Sequence, residues 1–413
     1  MTRHGLEVAD VFRDYGLEFM QKRGSSLSVN QRRAFDAIAA CRTKVLGGHL
    51  EQCNQCGHER NAYNSCGNRN CPKCRARARA EWTEARTAEL LPIPFFHVVF
   101  TLPKEFGPIA LQNQRVVYNI LFRAAAQTLK ELAADPKHMG AEIGILAVLH
   151  TWGGKLDYHV HLHCIVTGGG LSPDGTRWVR CKRSKKNRKD FFIHGNVLSR
   201  KFRGKFIDQL KRAFRDGDLG FHGDIASLAN AVAFENRVTK AVRNDWVVDV
   251  SSPIGSPIRV LKYLARYTNR VAISNDRLIA VRNGRVHFGW KDYRDGGQQK
   301  VTSLEPTEFI RRFLLHVVPS GFMKIRYYGF MANRYRREKL ALSRKLLGVS
   351  IEQFEDDETE GGERESSDGQ CESRCPACRR GIMVAVRLIP PAPVQISSAF
   401  LSSIRAPPMS RTA

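Results

Sequence analysis

The chain has 413 residues, 42% of them hydrophobic and 26% charged, a balance that predicts two or three soluble domains and excludes a disordered or fibrous protein. Its 66 lysines and arginines against 40 acidic residues give a net charge of +26, which is typical of proteins that bind nucleic acid. Because no long apolar run and no secretory signal occurs, we expect a cytoplasmic protein without membrane contact.

The first predicted elements are helices. Residues 6–40 have helical periodicity, and Ser28 suits a helix N-cap. Further helices are predicted over 78–91, 108–134, 200–215, 224–240 and 256–270. Strands are predicted over 97–103, 143–152, 158–166 and 246–250, with a hairpin over 277–288 that turns at Asn-Gly. Because strands and helices do not alternate strictly, the pattern predicts an α+β fold with an antiparallel sheet.

Two Cys-x-x-Cys pairs follow the first helices. Eleven cysteines in a cytoplasmic chain indicate metal binding rather than disulfides. Cys53 and Cys56 lie 14 residues before Cys71 and Cys74, a spacing at which four thiolates bind one structural zinc. Cys66 leaves an alternative open, in which it joins Cys71, Cys74 and one cysteine of the first pair.

Three histidines alternate along the strand predicted over 158–166. Alternate side chains of a strand project from the same face, so His159, His161 and His163 form a row that suits a divalent metal. The structural alternative is a polar face on a half-buried sheet.

The helix predicted over 256–270 carries two tyrosines one turn apart. Tyr263 and Tyr267 lie opposite its apolar side chains, together with Arg259, Arg266 and Arg270. Because guanidinium groups suit phosphate oxygens, we expect this face to act on a DNA backbone. An exposed aromatic pair on a basic helix is the alternative.

Two basic segments predict further contacts with DNA. From residue 177 to residue 189, eight of thirteen residues are lysine or arginine, which favours contact with phosphates over a merely solvated loop. The expected contact residues are Arg180, Lys182, Arg183, Lys185 and Lys186. Residues 324–345 interleave aromatic and basic side chains, a mixture suited to unpaired bases.

The C-terminal region contrasts with the rest of the chain. Residues 355–370 are acidic and polar, which predicts a disordered linker. Cys371, Cys375 and Cys378 follow without an evident fourth ligand, so they predict an incomplete zinc site. A loose tail is expected after Leu388.

Taken together, the motifs resemble those of the two-tyrosine rolling-circle transposases of bacterial insertion sequences, the insertion sequence ninety-one group of the HUH endonuclease superfamily. The resemblance covers residues 8–350. It depends on the strings YNSCGNRNCPKC, HVVFTLP, LHTWGGKLDYHVHLHCIVTGGGL, YLARYTNRVAIS, WKDYRDGG and FIRRFLLHVVPSGFMKIRYYGF. Val160 stands where the family usually has proline between the first two histidines of the row.

The resemblance implies an architecture. A helical and zinc-binding domain that contacts DNA is expected over 1–92. An HUH-type catalytic domain, with a central antiparallel sheet flanked by helices, is expected over 93–350. An acidic linker, a partial cysteine motif and a disordered tail are expected over 351–413.

It also implies a chemistry. His161 and His163 would hold Mg²⁺ or Mn²⁺, with His159 or His150 as the third ligand. One of the two tyrosines would attack the end of a single-stranded element and form a 5′-phosphotyrosine bond, and the second would cut another strand. A bacterial, nucleoid-associated location would follow.

Two other classes of protein remain as alternatives. A non-catalytic zinc-ribbon regulator explains the charge and the cysteines, but not the histidine row or the tyrosine face. A transposase with three catalytic carboxylates needs acidic residues grouped on strands, which this sequence lacks. The cleavage product separates the three, because only the first class forms a covalent bond between protein and DNA.

Overall fold

The structure is a computed structural model, and it describes residues 5–75, 91–183, 190–254, 271–292, 295–349 and 374–392. The helices are α1 (Val8–Asp14), α2 (Gly16–Arg23), α3 (Val29–Ala40), α4 (Gly107–Gln112), α5 (Gln114–Ala134), α6 (Gly195–Arg215), α7 (Ala231–Val242), α8 (Pro306–Leu315) and α9 (Arg336–Leu347). The strands are β1 (Gly48–Cys53), β2 (Glu59–Tyr63), β3 (Phe95–Thr101), β4 (Glu142–Trp152), β5 (Tyr158–Leu171), β6 (Trp178–Arg180), β7 (Lys182–Arg183), β8 (Asp190–Phe191), β9 (Val248–Val250), β10 (Leu278–Arg282), β11 (Arg285–Asp292), β12 (Gln298–Leu304), β13 (Ile325–Gly329) and β14 (Met383–Ile389). Among these residues, no helix combines the length and the apolar character needed to cross a membrane.

The largest sheet in the described part of the chain has the order β13-β4-β5-β3-β9, with β6 paired to β5. Every neighbouring pair in it is antiparallel. The α+β fold with a central antiparallel sheet and flanking helices is therefore confirmed.

One face of this sheet is covered by helices. α5 and α6 bury their apolar sides against alternate residues of β3, β4 and β5, because a strand presents every second side chain to the same face. Val160 belongs to this layer and is 3% exposed, so a β-branched residue at this position packs against the helices.

The opposite face of the sheet has two different ends. At one end, an apolar group that includes Leu146, Val148 and Ile165 packs against Leu340 of α9. At the other end the same face carries histidines. The side chains of residues 146, 148 and 150 of β4 project from one face of the sheet, because they are two residues apart along the strand. Among the described residues, this end of the face therefore presents imidazoles in place of apolar side chains.

The N-terminal helices share a core with a later part of the chain. Phe12 of α1 lies 5.3 Å from Phe35 of α3 and 5.3 Å from Phe313 of α8, measured between ring centroids. The β10-β11-β12 sheet contributes Phe288 to the same core. Residues expected in the separate domains 1–92 and 93–350 thus pack together.

Several local predictions are confirmed at their capping residues. The Ser28 side chain accepts a hydrogen bond from the Gln31 N–H and begins α3. Asn283 and Gly284 both have positive φ, 50° and 67°, as the predicted Asn-Gly turn between β10 and β11 requires. The helices predicted over 78–91 and 256–270 lie outside the described residues.

Other boundaries differ from the prediction for identifiable reasons. The helix expected over 108–134 is divided at Asn113, whose side chain donates to the Ile109 and Gly220 carbonyls and accepts from the Gly220 N–H. The helix expected over 224–240 begins as a 3-10 turn, and Asn230 then caps α7.

The C-terminal region contains a strand that the sequence did not predict. Residues 374–392 form β14 and a cysteine turn, and β14 pairs antiparallel with β1 in a sheet of order β14-β1-β2. This segment therefore belongs to the N-terminal cysteine region, while the tail expected after Leu388 lies mostly outside the described residues.

Candidate functional site

Three histidines converge at the polar end of the central sheet. His150 of β4 lies directly opposite His161 of β5, and His163 follows two residues further along β5. Each offers a ring nitrogen, and the three nitrogens lie within 4.8 Å of one another. His150 and His163 are buried and His161 is partly exposed, so one side of the group remains open.

Of the two candidates for the third ligand, the structure brings His150, and not His159, together with His161 and His163. His159 shares the strand face of His161, but its side chain is exposed and lies beyond the group. His150 is the third member because the antiparallel register of β4 and β5 places it opposite His161. His150 was the open alternative, and only the register decides between the two.

Hydrogen bonds orient two of the imidazoles. The Nδ1 of His161 lies 2.9 Å from the main-chain oxygen of His159, and the Nδ1 of His163 lies 2.8 Å from the Nε2 of His97 on β3. When each Nδ1–H donates, each Nε2 is left as the lone-pair nitrogen that binds a metal. Burial lowers the pKa of His97 to about 4, so His97 is neutral and able to accept near neutral pH.

Aromatic and basic side chains extend the site. The Trp152 ring stacks on His150 with centroids 4.5 Å apart, and the ammonium of Lys324 lies 5.7 Å from the Trp152 ring. Removal from water, together with repulsion by Arg69 and Arg75, lowers the pKa of Lys324 to about 7. Near pH 7 the Lys324 amine is therefore partly charged, and in its charged form it attracts an anion such as a phosphate.

Tyr263 and Tyr267 lie outside the described residues, as do Arg259, Arg266 and Arg270 of the same predicted helix. Their geometry relative to the histidines therefore stays a prediction.

Other tyrosines near the sheet have packing roles. Tyr158 faces the helical layer, where its hydroxyl lies 2.6 Å from that of buried Tyr118. Tyr328 packs on the same layer, and burial raises its pKa. Tyr327 packs in the apolar group near α9 and lies under the Arg336 guanidinium. None of these four phenols is placed as an open nucleophile beside the histidines.

The predicted basic loop begins at the far end of β5. β6 pairs with residues 169–171, about six residues along the strand from His163, which corresponds to roughly 20 Å. Arg180, Lys182 and Arg183 are exposed there, whereas Lys185 and Lys186 lie outside the described residues. Arg180, which pairs opposite Gly169, is therefore too far from the histidine group to contact the same phosphate.

The cysteines form two groups rather than the single site predicted from Cys53, Cys56, Cys71 and Cys74. The first group consists of Cys41, Cys66, Cys71 and Cys74. Three of its pairs, Cys41–Cys74, Cys66–Cys74 and Cys41–Cys71, have sulfur separations of 3.6–3.7 Å, close to the roughly 3.8 Å edge of a tetrahedron with Zn–S bonds of about 2.3 Å. The second group consists of Cys53, Cys56, Cys375 and Cys378.

The pairing was wrong because each Cys-x-x-Cys turn meets partners that are distant in sequence. Cys71 and Cys74 meet Cys66, the open alternative, and also Cys41, a lone cysteine after α3 that no spacing pattern marks. His97 and Lys324 were also missed, since a single histidine or lysine carries no periodic signal.

The first cysteine group is part of the core beneath the histidines. Cys41 and Cys71 are 2% and 1% exposed, and the core that contains them also contains Trp152. Arg69, between the cysteines, donates to the main-chain oxygens of Val318, Pro319 and Phe322. The N-terminal cysteine region is thus packed directly against the domain that carries the histidines.

Comparisons with known proteins agree on one class. A family described as "Putative transposase" matches residues 144–339, and one described as "Transposase zinc-binding domain" matches residues 11–102. "Putative transposase y4qJ" of Sinorhizobium fredii (strain NBRC 101917 / NGR234) is 51% identical over 391 residues, covering 94% of this chain and 96% of its own. The transposase for insertion sequence element IS801 of Pseudomonas savastanoi pv. phaseolicola is 30% identical over 300 residues, covering 72% of this chain and 69% of its own.

Two solved structures of the conjugative relaxase TrwC are also similar to this chain. The metal-bound conjugative relaxase TrwC in complex with oriT DNA is 13% identical, covers 62% of this chain and 73% of its own, and has a TM-score of 0.24. TrwC complexed with a 27-mer DNA that comprises the recognition hairpin and the cleavage site has the same identity and TM-score and covers 62% and 74%.

Proposed function

Because this chain belongs to the transposase family of the insertion sequences related to IS91, with its zinc-binding domain, we propose that it nicks and rejoins single-stranded DNA at element ends through a covalent 5′-phosphotyrosine bond. DNA binding and DNA transposition follow from membership in this family. The covalent mechanism, the strand preference and the metal dependence are the proposal.

The observation that carries the proposal is the group of His150, His161 and His163. Three imidazoles at one end of a sheet would hold a divalent cation and leave coordination positions on it for phosphate oxygens. A divalent cation bound there would neutralise charge that develops on the scissile phosphate. An all-nitrogen set fits Mn²⁺ better than Mg²⁺, which prefers oxygen ligands and retains its waters.

The nucleophile proposed is the phenol of Tyr263 or Tyr267. Its oxygen attacks the phosphorus in line, the P–O3′ bond breaks, and the phenolic proton leaves while the 3′ oxygen becomes a hydroxyl. The phosphodiester energy is retained in the P–O bond to tyrosine, so a 3′-OH attacks it in the reverse direction without ATP. A second phenol one helical turn away would hold another strand during the exchange.

The side chains around the histidines support the binding of DNA. Lys324, which lies near the Trp152 ring that stacks on His150, suits a phosphate oxygen of the DNA backbone. The basic strand segment from Arg180 lies roughly 20 Å away, so it would contact a different part of the same DNA.

The test is a cleavage reaction on a single-stranded oligonucleotide that contains an element end, with Mn²⁺ and denaturing electrophoresis to detect a covalent adduct. We expect an adduct with the wild type and with the single variants Tyr263→Phe and Tyr267→Phe, and none with the double variant. His161→Ala with His163→Ala should abolish cleavage while DNA binding persists.

Two outcomes would contradict the proposal. An adduct that persists in the double variant and maps to another residue would exclude the two phenols. DNA binding without any cleavage, under conditions where both metal classes are bound, would favour the non-catalytic regulator.

A further inference from the structure

The second cysteine group joins the two ends of the chain. Cys53 lies 3.7 Å from Cys378 and Cys56 lies 3.5 Å from Cys375, measured between sulfurs, and all four sulfurs are within 4.8 Å of one another. A disulfide requires about 2.0 Å, so these are free thiols. The separations match the roughly 3.8 Å edge of a tetrahedral zinc thiolate site.

We infer that Cys53, Cys56, Cys375 and Cys378 bind a second structural zinc, which fastens the C-terminal segment 374–392 to the N-terminal zinc-binding region. This site is independent of the DNA chemistry proposed above. It also extends beyond residues 11–102, over which the zinc-binding family matches.

The two halves of the site are built alike. Each Cys-x-x-Cys turn directs main-chain N–H groups at its first sulfur: Gln55 and Cys56 donate to Cys53, and Cys378 donates to Cys375. The Gly381 N–H donates to the Cys378 sulfur. Such donors stabilise the thiolate, which is the form of cysteine that binds metal.

The two turns are also held against each other. The Asn54 N–H donates to the Ile382 oxygen, and the Asn54 side chain accepts from the Ile382 N–H. Gly381 has no side chain where it approaches this contact, and an added methyl group would meet the Cys53 sulfur and the Asn54 side-chain oxygen. The sulfurs are therefore positioned by hydrogen bonds that already connect the two segments.

Packing alone offers the C-terminal segment little stabilisation. The local apolar cluster contains only Cys53, Cys375 and Met383 as buried residues, with Cys378 against it. Along β14, Leu388 is 84% exposed, and within the part of the chain that the structure describes the segment is an edge strand paired with β1. A strand with so small a core needs a further constraint, and a structural metal supplies one in many small modules.

The inference predicts two zinc ions per chain, which elemental analysis of the purified full chain measures. The double variant Cys375→Ser/Cys378→Ser should retain one zinc, because Cys41, Cys66, Cys71 and Cys74 belong to a different core. Cys371→Ser is the matched control, since it removes a thiol of the same region outside the four, and it should retain two.

Gly381→Ala tests the geometry without removing a ligand, and it should also lower the zinc content to one. One zinc in the wild type, two zincs in the Cys375→Ser/Cys378→Ser variant, or iron in place of zinc would overturn the inference.

A cleavable chain avoids dependence on variants that fail to fold. A protease site inserted between Gly361 and Gly362 allows the wild-type ligands to be kept while the connection is cut. After cleavage, the C-terminal fragment should remain bound to the rest of the chain and leave when a zinc chelator is added. Release before chelation, or retention after all zinc is removed, would contradict a zinc fastening.

Discussion

The structure groups His150, and not His159, with His161 and His163, and two alanine variants test this assignment. His150→Ala removes one of three convergent imidazoles, while His159→Ala removes an imidazole from the same strand face outside the group. The hydrogen bond from His161 Nδ1 ends on the main-chain oxygen of His159, so alanine at 159 retains it. We expect His150→Ala to lose Mn²⁺ binding and DNA cleavage, and His159→Ala to keep both.

The expected magnitude follows from the contacts of His150. Loss of a hydrogen bond that merely supports a metal ligand weakens binding by about 10–100-fold, so loss of a ligand should cost at least that, or about 1.4–2.8 kcal/mol. The stacking of His150 on Trp152 is lost as well, which costs about 0.5–1.5 kcal/mol in addition to the cavity that the buried side chain leaves. Metal binding is therefore compared only under conditions where the variant is folded.

The assay is a titration of the zinc-loaded protein with Mn²⁺, in which electron paramagnetic resonance measures the concentration of free Mn²⁺. Formation of the covalent adduct is measured in parallel. Thermal unfolding checks that both variants are folded. Equal Mn²⁺ affinity in His150→Ala and wild type, together with a loss in His159→Ala, would refute the assignment made from the strand register.

Two further predictions concern buried histidines. His97→Leu should weaken Mn²⁺ binding by about 10–100-fold, because His163 loses the acceptor that orients it. His97→Gln supplies an amide oxygen as acceptor and should restore part of the affinity. Unchanged affinity in the leucine variant would exclude a positioning role for His97. Burial lowers the pKa of His316 to about 3, against about 6.5 in an unfolded chain. Only the unfolded chain then binds this proton between those values, so the free energy of unfolding should fall by up to about 1.4 kcal/mol per unit as pH drops from 6.5 toward 3. Urea unfolding of wild type and His316→Gln across this range measures the difference, and identical pH slopes would contradict it.

Local sequence determined many of the secondary-structure elements and the types of residue in the candidate site. The alternation of histidines predicted β5 and the face that they share, and hydrophobic periodicity predicted β3, β4 and α6 near their actual positions. These features have short periods, so each is complete within about ten residues of sequence. The charge of the chain and its Cys-x-x-Cys turns likewise indicated DNA and zinc without knowledge of the fold.

Only the tertiary structure decided which residues meet. His150 joins His161 and His163 because of the β4–β5 register, and a shift of one residue would have turned its side chain to the other face. Cys53 and Cys56 meet cysteines more than 300 positions away, through the pairing of β1 with β14. A spacing rule such as Cys-x-x-Cys describes the ligands of a single turn. A metal site whose ligands come from two turns depends on how distant segments pack, and a local sequence pattern does not contain this information.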